Sequence, residues 1–580
     1  MTAAGLTSQL KGFFTFERTL VLIFLVSLLL RLAFLDLKLF HHDEAIHTWF
    51  SYKLLTLGEY TYSPVYHGPF LYYVTAGFFS LFGAGEFTAR FIPAVMGSTI
   101  CLFVYPIYRL GYLNRVQSVV AAIFFAISPN LVYFSRFLRN DIFLVFFTLV
   151  ILVATLYYIE KGKFRYALIA GAAVGFGMSC KENMPIVILI FAAFLLYLIY
   201  TGKWKLPRLW IRDLACAVVI ALGIMAVFYS SFGAVPEMLS TGWMSAIEHW
   251  TAMHQEQRLG GPPYVYILLF ILYELPIFIL AMYSVYRFFM DKRSLNLKRK
   301  REECAAIDES EFPEELLEDF SEPVHPGESI TAEVDTGVEK ADVDIPAAAE
   351  EPVEVKDIPE AVPEPTVKDF PSVDKKTEFA RFCIFWMIAS MAAYAYIGEK
   401  VPWLILHQLV PMIFVSVFYI ERWKSWVPLI ASIFLIVMTL HVAFTPADIS
   451  EPIVQVQNSE DLREIFAMID ASDKVAVDFD ERWPFAWYYY DEEGKKVNYV
   501  IDMDKNIDFL KNGDFDLIVA HDGKNISVPG YEKLTTLKKS YWFSYYDNKD
   551  RLIPYYFLRD GKLGSLNFEI FVRENSSYSS

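Results

Sequence analysis

The chain has 580 residues, of which 55% are hydrophobic, and its formal net charge is -16. This composition is more apolar than that of ordinary soluble domains, which excludes a purely soluble protein. The acidic excess lies in appendages: the segment 301–378 carries 25 acidic and six basic residues, whereas the apolar part of the chain is basic. Because cytoplasmic loops of membrane proteins are rich in Lys and Arg, this basicity requires no nucleic-acid partner.

Eleven apolar runs approach or reach the length that crosses a bilayer as a helix. They lie at 19–37, 91–109, 117–134, 142–159, 165–179, 185–200, 212–231, 264–289, 380–397, 402–420 and 424–444. A twelfth run, 69–84, is interpreted as an interfacial helix, because its crossing would invert the later loops and abolish the bias of positive charge toward one side. The predicted fold class is mainly α, a polytopic transmembrane bundle in the lipid bilayer of the cell membrane.

Four segments follow from these runs. An N-terminal transmembrane module at 1–300 has a cytoplasmic N-terminus and a first outer loop at 36–90. The segment 301–378, poor in aromatic residues, predicts a disordered cytoplasmic linker, with a regulatory or partner-binding tail as the alternative. Three further transmembrane helices occupy 379–444. The segment 445–580 has short strand-like runs at 475–477, 517–520 and 568–572 between charged turns, which predicts an extracytoplasmic α/β or α+β domain.

The first outer loop begins with a dense group of ionisable side chains, from His41 to His47, directly after a membrane helix. One interpretation is a solvated loop start. The sharper one is a catalytic pair, in which Asp43 or Glu44 takes a proton and the other orients it. Asp43, Glu44 and His47 would also suit a divalent cation, although the sequence contains no fixed metal motif, so a metal cofactor stays open.

Other charged residues lie at the same predicted face. Arg136 and Arg139 share a helical face at the end of the third run, and guanidinium groups suit phosphate oxygens. Asp141 either belongs to this site or pairs with an arginine and caps the next helix. Lys400, followed one helical turn later by His407, is a further candidate for a phosphate or lipid headgroup.

Two more outer segments allow two interpretations each. Lys181 and Glu182 lie in a hairpin between apolar runs, where a structural ion pair is as reasonable as a functional site. The loop 232–263 contains His249 and Trp250, whose side chains could lie over a sugar or belong to the aromatic belt at a membrane surface.

Taken in order along the chain, these residues resemble the GT-C class of integral-membrane glycosyltransferases, which includes protein O-mannosyltransferases and aminoarabinose transferases. The matching elements are Asp43-Glu44, His67-Gly68-Pro69, Phe82-Gly83, Ala89-Arg90, Ser128-Pro129, Ser135-Arg136 and Asp141. The class usually has a second proline where Gly68 stands. That departure, the segment from Glu399 to Trp403 and the acidic linker resemble an archaeal subgroup described as associated with flippase activity.

The resemblance covers roughly residues 15–440 and implies a sugar donor carried on a polyprenyl phosphate or diphosphate. It implies Asp43 as the base that deprotonates the acceptor, and Arg136, Arg139 and Lys400 as ligands of the leaving phosphate. Glu44 and His67 would orient the acceptor or an optional metal. The acceptor is left open among a saccharide, a lipid and a protein.

A second hypothesis is a flippase for lipid-linked saccharides, or an accessory protein of one, without transferase activity. A transporter is expected to carry polar residues deep within several helices or paired broken helices. Here the ionisable residues concentrate in outer loops, with Arg31 and Glu274 as the main exceptions. A catalytically silent scaffold is a third hypothesis.

Overall fold

The structure is a computed structural model that describes residues 15–310 except 59 and 257–260, and residues 374–574 except 423, 425 and 446–450. Most of the acidic linker predicted at 301–378 therefore lies outside the described residues. The chain divides into two units, of which the first combines Met1–Phe288 with Asp374–Ser580 and the second is Phe289–Val373. The candidate site lies wholly within the first unit.

The described chain is mainly helical up to residue 444, which confirms the predicted fold class. The helices are α1 (Phe16–Leu32), α2 (His42–Leu57), α3 (Phe70–Phe82), α4 (Glu86–Thr99), α5 (Val104–Arg109), α6 (Arg115–Ile127), α7 (Pro129–Ser135), α8 (Asn140–Lys161), α9 (Phe164–Cys180), α10 (Met184–Tyr200), α11 (Trp210–Tyr229), α12 (Met238–Glu256), α13 (Val265–Tyr273), α14 (Leu275–Ser310), α15 (Lys375–Tyr396), α16 (Leu406–Val417) and α17 (Trp426–Phe444). The eleven predicted runs correspond to these helices, and the twelfth run forms α3.

Five helices of the described chain are long and apolar enough to cross a membrane, or up to seven if each of two bent pairs is one span. The five are Glu86–Arg109, Asn140–Lys161, Trp210–Tyr229, Lys375–Tyr396 and Trp426–Phe444. Four shorter apolar helices accompany them, namely Phe70–Phe82, Phe164–Cys180, Met184–Tyr200 and Pro402–Val417. The predicted number of eleven spans stays a prediction.

Two of the apolar runs are broken, which the sequence analysis did not predict. The α6–α7 pair bends by 50° at Ser128, and the α13–α14 pair by 113° at Glu274. The two breaks meet, because Oε1 of Glu274 accepts hydrogen bonds from Oγ of Ser128 at 2.6 Å and from the backbone N of Asn130 at 3.1 Å. A buried carboxylate thus satisfies donors that the break at Ser128 leaves without helical partners.

The C-terminal domain is built on one mixed sheet, in agreement with the predicted α/β or α+β character. Its strands are β1 (Gln457–Asn458), β2 (Val475–Asp478), β3 (Val497–Val500), β4 (Leu517–His521), β5 (Tyr531–Phe543) and β6 (Leu563–Arg573), in the order β1-β5-β6-β4-β2-β3. Strand β2 is parallel to β3 and β4, whereas the other neighbours pair antiparallel. Five short helices complete it: α18 (Leu462–Ala471), α19 (Phe485–Tyr488), α20 (Ile507–Asn512), α21 (Tyr545–Asn548) and α22 (Leu552–Leu558).

This domain packs against the chain that joins α1 to α2. The side chain of Leu39 belongs to the hydrophobic core on one face of the sheet, and Trp487 of α19 packs in the large helical core. Hydrogen bonds add to the contact: the side-chain amides of Gln457 and Asn458 donate to the backbone carbonyls of Leu39 at 3.2 Å and Phe40 at 2.5 Å. The start of α2 is therefore held between the helices and the C-terminal domain.

Candidate active site

The ionisable group at His41–His47 is the N-terminus of α2. His41 is the N-cap, and its Nδ1 accepts a hydrogen bond from the backbone N of Asp43 at 3.1 Å. Glu44 completes a capping box, because its Oε2 accepts from the backbone N of His41 at 3.0 Å. Acidic residues in a first helical turn are also stabilised by the helix dipole. Local helix chemistry thus explains much of this dense polar sequence.

The Glu44 carboxylate makes contacts with other partners than Asp43 does. Its carboxylate accepts a bidentate pair of hydrogen bonds from Arg90, at 2.8 and 2.7 Å, and one from the backbone N of Leu138 at 2.9 Å. Both members of this ion pair are buried. Glu44 therefore joins α2, α4 and the α7–α8 connection, and the predicted catalytic or acceptor-orienting role of Glu44 is not supported by its position.

Asp43 points to Arg139 at the start of α8. The guanidinium donates to Oδ2 of Asp43, and its centre lies 3.5 Å from the centroid of the Trp403 ring. The side chain of Arg139 is 7% exposed and that of Asp43 31% exposed. Burial raises the pKa of Asp43, but Arg139 and nearby histidines outweigh it, so that the net pKa lies below its usual range. In this pair, the partly exposed Asp43 carboxylate therefore contacts the buried Arg139 cation.

A second cation, Lys181, lies beside this pair. Its Nζ donates to both carboxylate oxygens of Asp141, at 2.9 and 3.0 Å, and Nε2 of His407 lies 3.2 Å from Oδ1 of the same carboxylate. Asp141 also lies 3.8 Å from Nε of Arg139. All four side chains are buried. Asp141 and His407 thus position Arg139 and Lys181, and Lys181 pairs with Asp141 rather than with its neighbour Glu182.

His67 and Glu182 form a further pair near these cations. Nδ1 of His67 lies 3.0 Å from Oε2 of Glu182, and Tyr62 donates to Oε1 of Glu182 at 2.8 Å. Burial raises the pKa of Glu182, but the contact with His67 outweighs it, so that the net pKa is lowered. Gly68 explains the departure from a second proline, because a Cβ at this position would lie 2.2 Å from the backbone O of Ser179.

These groups face one large cavity of about 870 Å³. Asp43, His67, Arg139, Lys181 and Glu182 line it together with the predicted loop residues His249 and Trp250 of α12. Its other lining residues include His42, His47, Tyr62, Tyr229, Trp403, Gln455, Asp480, Arg482 and Trp483. The volume falls in the range of small-molecule sites, and the lining combines aromatic faces with charged groups.

Two predicted phosphate ligands do not line this cavity. Arg136 donates to the backbone carbonyls of Leu30 at 3.1 Å and Phe34 at 2.7 Å, and therefore caps the C-terminal end of α1. Nζ of Lys400 donates to the carbonyls of Tyr394 at 3.1 Å and Ala395 at 3.0 Å, at the end of α15. Helix ends leave carbonyls without helical partners, and these cations satisfy them. In this structure both cations cap helix ends, and their phosphate-binding roles stay predictions that these contacts do not support.

The predicted metal set of Asp43, Glu44 and His47 does not converge either. Glu44 is engaged by Arg90, and Nδ1 of His47 lies 2.7 Å from the Tyr72 hydroxyl. Burial lowers the pKa of His47 to about 3. Within the described residues, no three His, Cys, Asp or Glu side chains are grouped as metal ligands.

Five residues of the C-terminal domain line the cavity and were not predicted from the sequence, namely Gln455, Val456, Asp480, Arg482 and Trp483. The segment from Asp480 to Pro484 has the same unusual density of charged and aromatic side chains as the start of α2. That density was the available signal. Its proximity to residue 43 depends on docking between segments that are more than 400 positions apart.

Comparison with known proteins gives a family match over part of the chain and a similar fold over most of it. Residues 66–230 match the family model described as dolichyl-phosphate-mannose-protein mannosyltransferase. The apo structure of ArnT from Cupriavidus metallidurans is similar at 13% identity and a TM-score of 0.53, over 90% of this chain and 94% of that one. No curated protein matches the chain.

Two ligand-bound structures are also similar. ArnT from C. metallidurans bound to undecaprenyl phosphate has 15% identity, a TM-score of 0.42 and coverage of 73% of this chain and 62% of that one. The Pmt1-Pmt2 complex of S. cerevisiae bound to the sugar donor has 18% identity, a TM-score of 0.32 and coverage of 40% and 34%. The chain thus spans less than two thirds of either.

The whole-chain likeness to apo ArnT shows the fold. The protein is a multi-pass membrane protein with an ArnT-like fold. The matched family model covers α3 to α11, which includes Arg139, Lys181 and Glu182 of the cavity. The archaeal subgroup stays a prediction.

Proposed function

We propose that this protein transfers a sugar from a polyprenyl-phosphate or polyprenyl-diphosphate donor to an acceptor at the outer membrane face. The observation that carries the proposal is the contact of Asp43 with Arg139, beside Lys181, on the wall of the large cavity. A carboxylate next to two buried cations provides a base and an anion site within one enclosure. Sugar transfer from a phosphate needs both.

In the proposed reaction, an acceptor hydroxyl oxygen attacks the anomeric carbon of the donor sugar. The bond between that carbon and the phosphate oxygen breaks, and the polyprenyl phosphate leaves with the bonding electron pair on that oxygen. The hydroxyl proton passes to Asp43. Arg139 and Lys181 stabilise the charge that develops on the leaving phosphate, because preorganised cations in a partly buried site need no reorganisation.

The donor would also activate the base. In the structure, the Arg139 guanidinium is engaged by the Asp43 carboxylate. A phosphate that binds Arg139 competes for the same N–H groups, since guanidinium forks bind both anions. Loss of that contact would raise the pKa of Asp43 and make it a stronger base. Donor binding would therefore precede deprotonation of the acceptor.

The proposed anion site is tested by binding of a polyprenyl phosphate. The full-length protein in lipid nanodiscs is titrated with undecaprenyl phosphate, and Arg139→Gln is compared with Arg136→Gln as the matched control. We expect Arg139→Gln to weaken binding at least tenfold, because it removes a cation from the cavity. Equal binding by wild type and Arg139→Gln would contradict the proposed anion site.

A second candidate function is transport of a lipid-linked saccharide. The observation in its favour is the pair of broken helices that meet at Glu274, because discontinuous helices mark substrate sites in transporters. In this protein the Glu274 carboxylate accepts hydrogen bonds from Ser128 and Asn130 at the other break, which fits a residue that stabilises the contact between the two breaks. Movement of a labelled lipid-linked saccharide across proteoliposomes that lack any acceptor would favour the transporter.

A further inference from the structure

The wall of the cavity opposite the helical bundle belongs to the C-terminal domain. Gln455, Val456, Asp480, Arg482 and Trp483 line the cavity that also contains Asp43 and Arg139. Nothing in the proposed chemistry of the phosphate uses these five residues. An acceptor must nevertheless enter the same enclosure, because its oxygen has to reach the donor sugar.

The segment that carries Asp480, Arg482 and Trp483 is fixed in place. Between them, Glu481 turns inward and pairs with the buried Lys539. The backbone N of Asp480 donates to Oδ1 of Asp478, at the end of β2, at 3.2 Å. The Trp483 ring packs edge-on against Trp49 of α2, with centroids 5.6 Å apart. This segment is thus a preformed wall.

Arg482 presents hydrogen-bond donors on this wall. Its guanidinium lies 4.1 Å from the centroid of the Phe479 ring, and Nη1 donates to the carbonyl of Phe479 at 2.9 Å. Among the described residues this is the one hydrogen bond found for the side chain of Arg482, whereas a guanidinium carries five N–H donors. Stacking holds the group flat, so that several donors are available to a ligand.

Asp480 supplies acceptors two positions before Arg482. Its side chain is 56% exposed, and Oδ2 accepts a hydrogen bond from Lys524 at 2.7 Å. A carboxylate has about four lone-pair positions, so that this contact leaves acceptors for a hydroxyl group. Donors and acceptors therefore lie side by side on the cavity wall.

Aromatic surface accompanies these polar groups. Trp483 lines the cavity on the C-terminal domain, and Trp250 lines it on α12, next to His249. An occupant of this region has to offer an apolar face to the rings and many hydroxyl groups to Asp480 and Arg482. A sugar ring has both, whereas an isoprenoid or acyl chain offers no hydroxyls. The chemistry of the wall therefore matches a polyhydroxylated ring.

We propose that the C-terminal domain supplies the acceptor subsite and that the acceptor is a saccharide, bound through Asp480 and Arg482 and packed against Trp483 and Trp250. The interpretation of the bound saccharide as an acceptor rests on the proposed transferase function. The saccharide site itself can be measured without any transfer.

The test uses direct binding to the full-length protein in nanodiscs. The probes are mannotriose, chitotriose and a galacturonate trimer, observed by saturation-transfer NMR and competition. Arg482→Ala and Asp480→Asn are compared with Arg551→Ala, a partly exposed arginine of the same domain that does not line the cavity. Asp480→Asn changes one exposed side chain, so it keeps the test valid if Arg482→Ala fails to fold.

We expect at least one trimer to bind the wild type, and both cavity variants to weaken that binding at least tenfold, which corresponds to about 1.4 kcal/mol. Arg551→Ala should bind as the wild type does, and Arg482→Ala should retain affinity for undecaprenyl phosphate. Binding of a Ser/Thr-rich peptide or of a lipid alcohol in place of every trimer would overturn the proposal. The proposal would also be overturned if Arg482→Ala lost binding of undecaprenyl phosphate but bound the trimers as the wild type does. If trimers bind but neither undecaprenyl phosphate nor dolichyl phosphate binds the wild type, the proposed anion site of the transferase fails while the saccharide site stands.

Discussion

The guanidinium of Arg139 donates a hydrogen bond to Oδ2 of Asp43 on the wall of the large cavity. Arg139 also contacts the Asp141 carboxylate and the face of the Trp403 ring, so its position does not depend on Asp43 alone. A carboxylate that is engaged by a fixed cation has a lowered pKa and is a weak base. The proposed reaction therefore needs the donor phosphate to displace Asp43 from Arg139.

The first prediction concerns the pH profile. A base acts only when deprotonated, so the rate falls as the pH drops below its pKa. Because kcat/KM reports free enzyme and kcat the donor complex, the acid limb of kcat should lie at higher pH than that of kcat/KM in the wild type. Arg139→Gln removes the cation that lowers the pKa of Asp43. In this variant the acid limb of kcat/KM should therefore move to higher pH and coincide with the acid limb of kcat. Initial rates between pH 3 and pH 8 check this, and an unchanged kcat/KM limb would be inconsistent with Asp43 as the base.

The second prediction separates Glu44 from Asp43. Glu44→Gln leaves the buried Arg90 without its ionic partner, and breaking a buried pair costs about 3 kcal/mol. We expect a lower melting temperature in detergent, whereas Glu464→Gln, on the exposed face of α18, should melt as the wild type does. A Glu44→Gln protein with wild-type stability and no transfer would instead assign Glu44 to the chemistry.

The third prediction concerns Arg136, which caps α1. Arg136→Gln removes donors from several backbone carbonyls and should lower the free energy of unfolding by about 2 kcal/mol. The KM for the donor should stay at the wild-type value, because Arg136 does not line the cavity. A donor KM raised tenfold with an unchanged melting temperature would return Arg136 to the phosphate site.

The fourth prediction tests the tight turn before α3. Gly68→Ala would place a Cβ 2.2 Å from the backbone O of Ser179, so the turn must move and displace His67 from Glu182. We expect lower thermal stability and lower transfer. Gly77→Ala in α3 is the matched control, since nothing lies within 4 Å of its Cβ, and it should gain up to about 1 kcal/mol from helix propensity. Equal behaviour of the two variants would show that the close approach at Gly68 has no consequence.

The helices were predictable from the sequence because hydrophobic burial in a membrane needs long apolar runs, and each predicted run is helical. The breaks were not predictable, since Glu274 and Ser128 interrupt runs whose hydropathy continues on both sides. In the C-terminal domain, the strand-like runs at 475–477, 517–520 and 568–572 lie in β2, β4 and β6. Strand β5 was missed, because its charged residues conceal the alternation.

The candidate site was predictable only in part. Asp43 and Arg139 were found from their charge at the ends of apolar runs, and both line the cavity. Arg136 and Lys400 are also charged residues at the ends of apolar runs, but they bind helix-end carbonyls. The sequence does not show which backbone carbonyls lack helical partners. Arg482 requires the docking of a distant domain, which no local pattern encodes.

The central claim is that Asp43 is the base of a sugar transfer. The most direct measurement supplies radiolabelled mannose and glucose on undecaprenyl phosphate and dolichyl phosphate, with saccharide trimers as acceptors, to wild-type protein and Asp43→Asn. We predict transfer by the wild type and a rate at least about 100-fold lower for Asp43→Asn, with donor binding retained. Equal transfer by both proteins would contradict the assignment of Asp43.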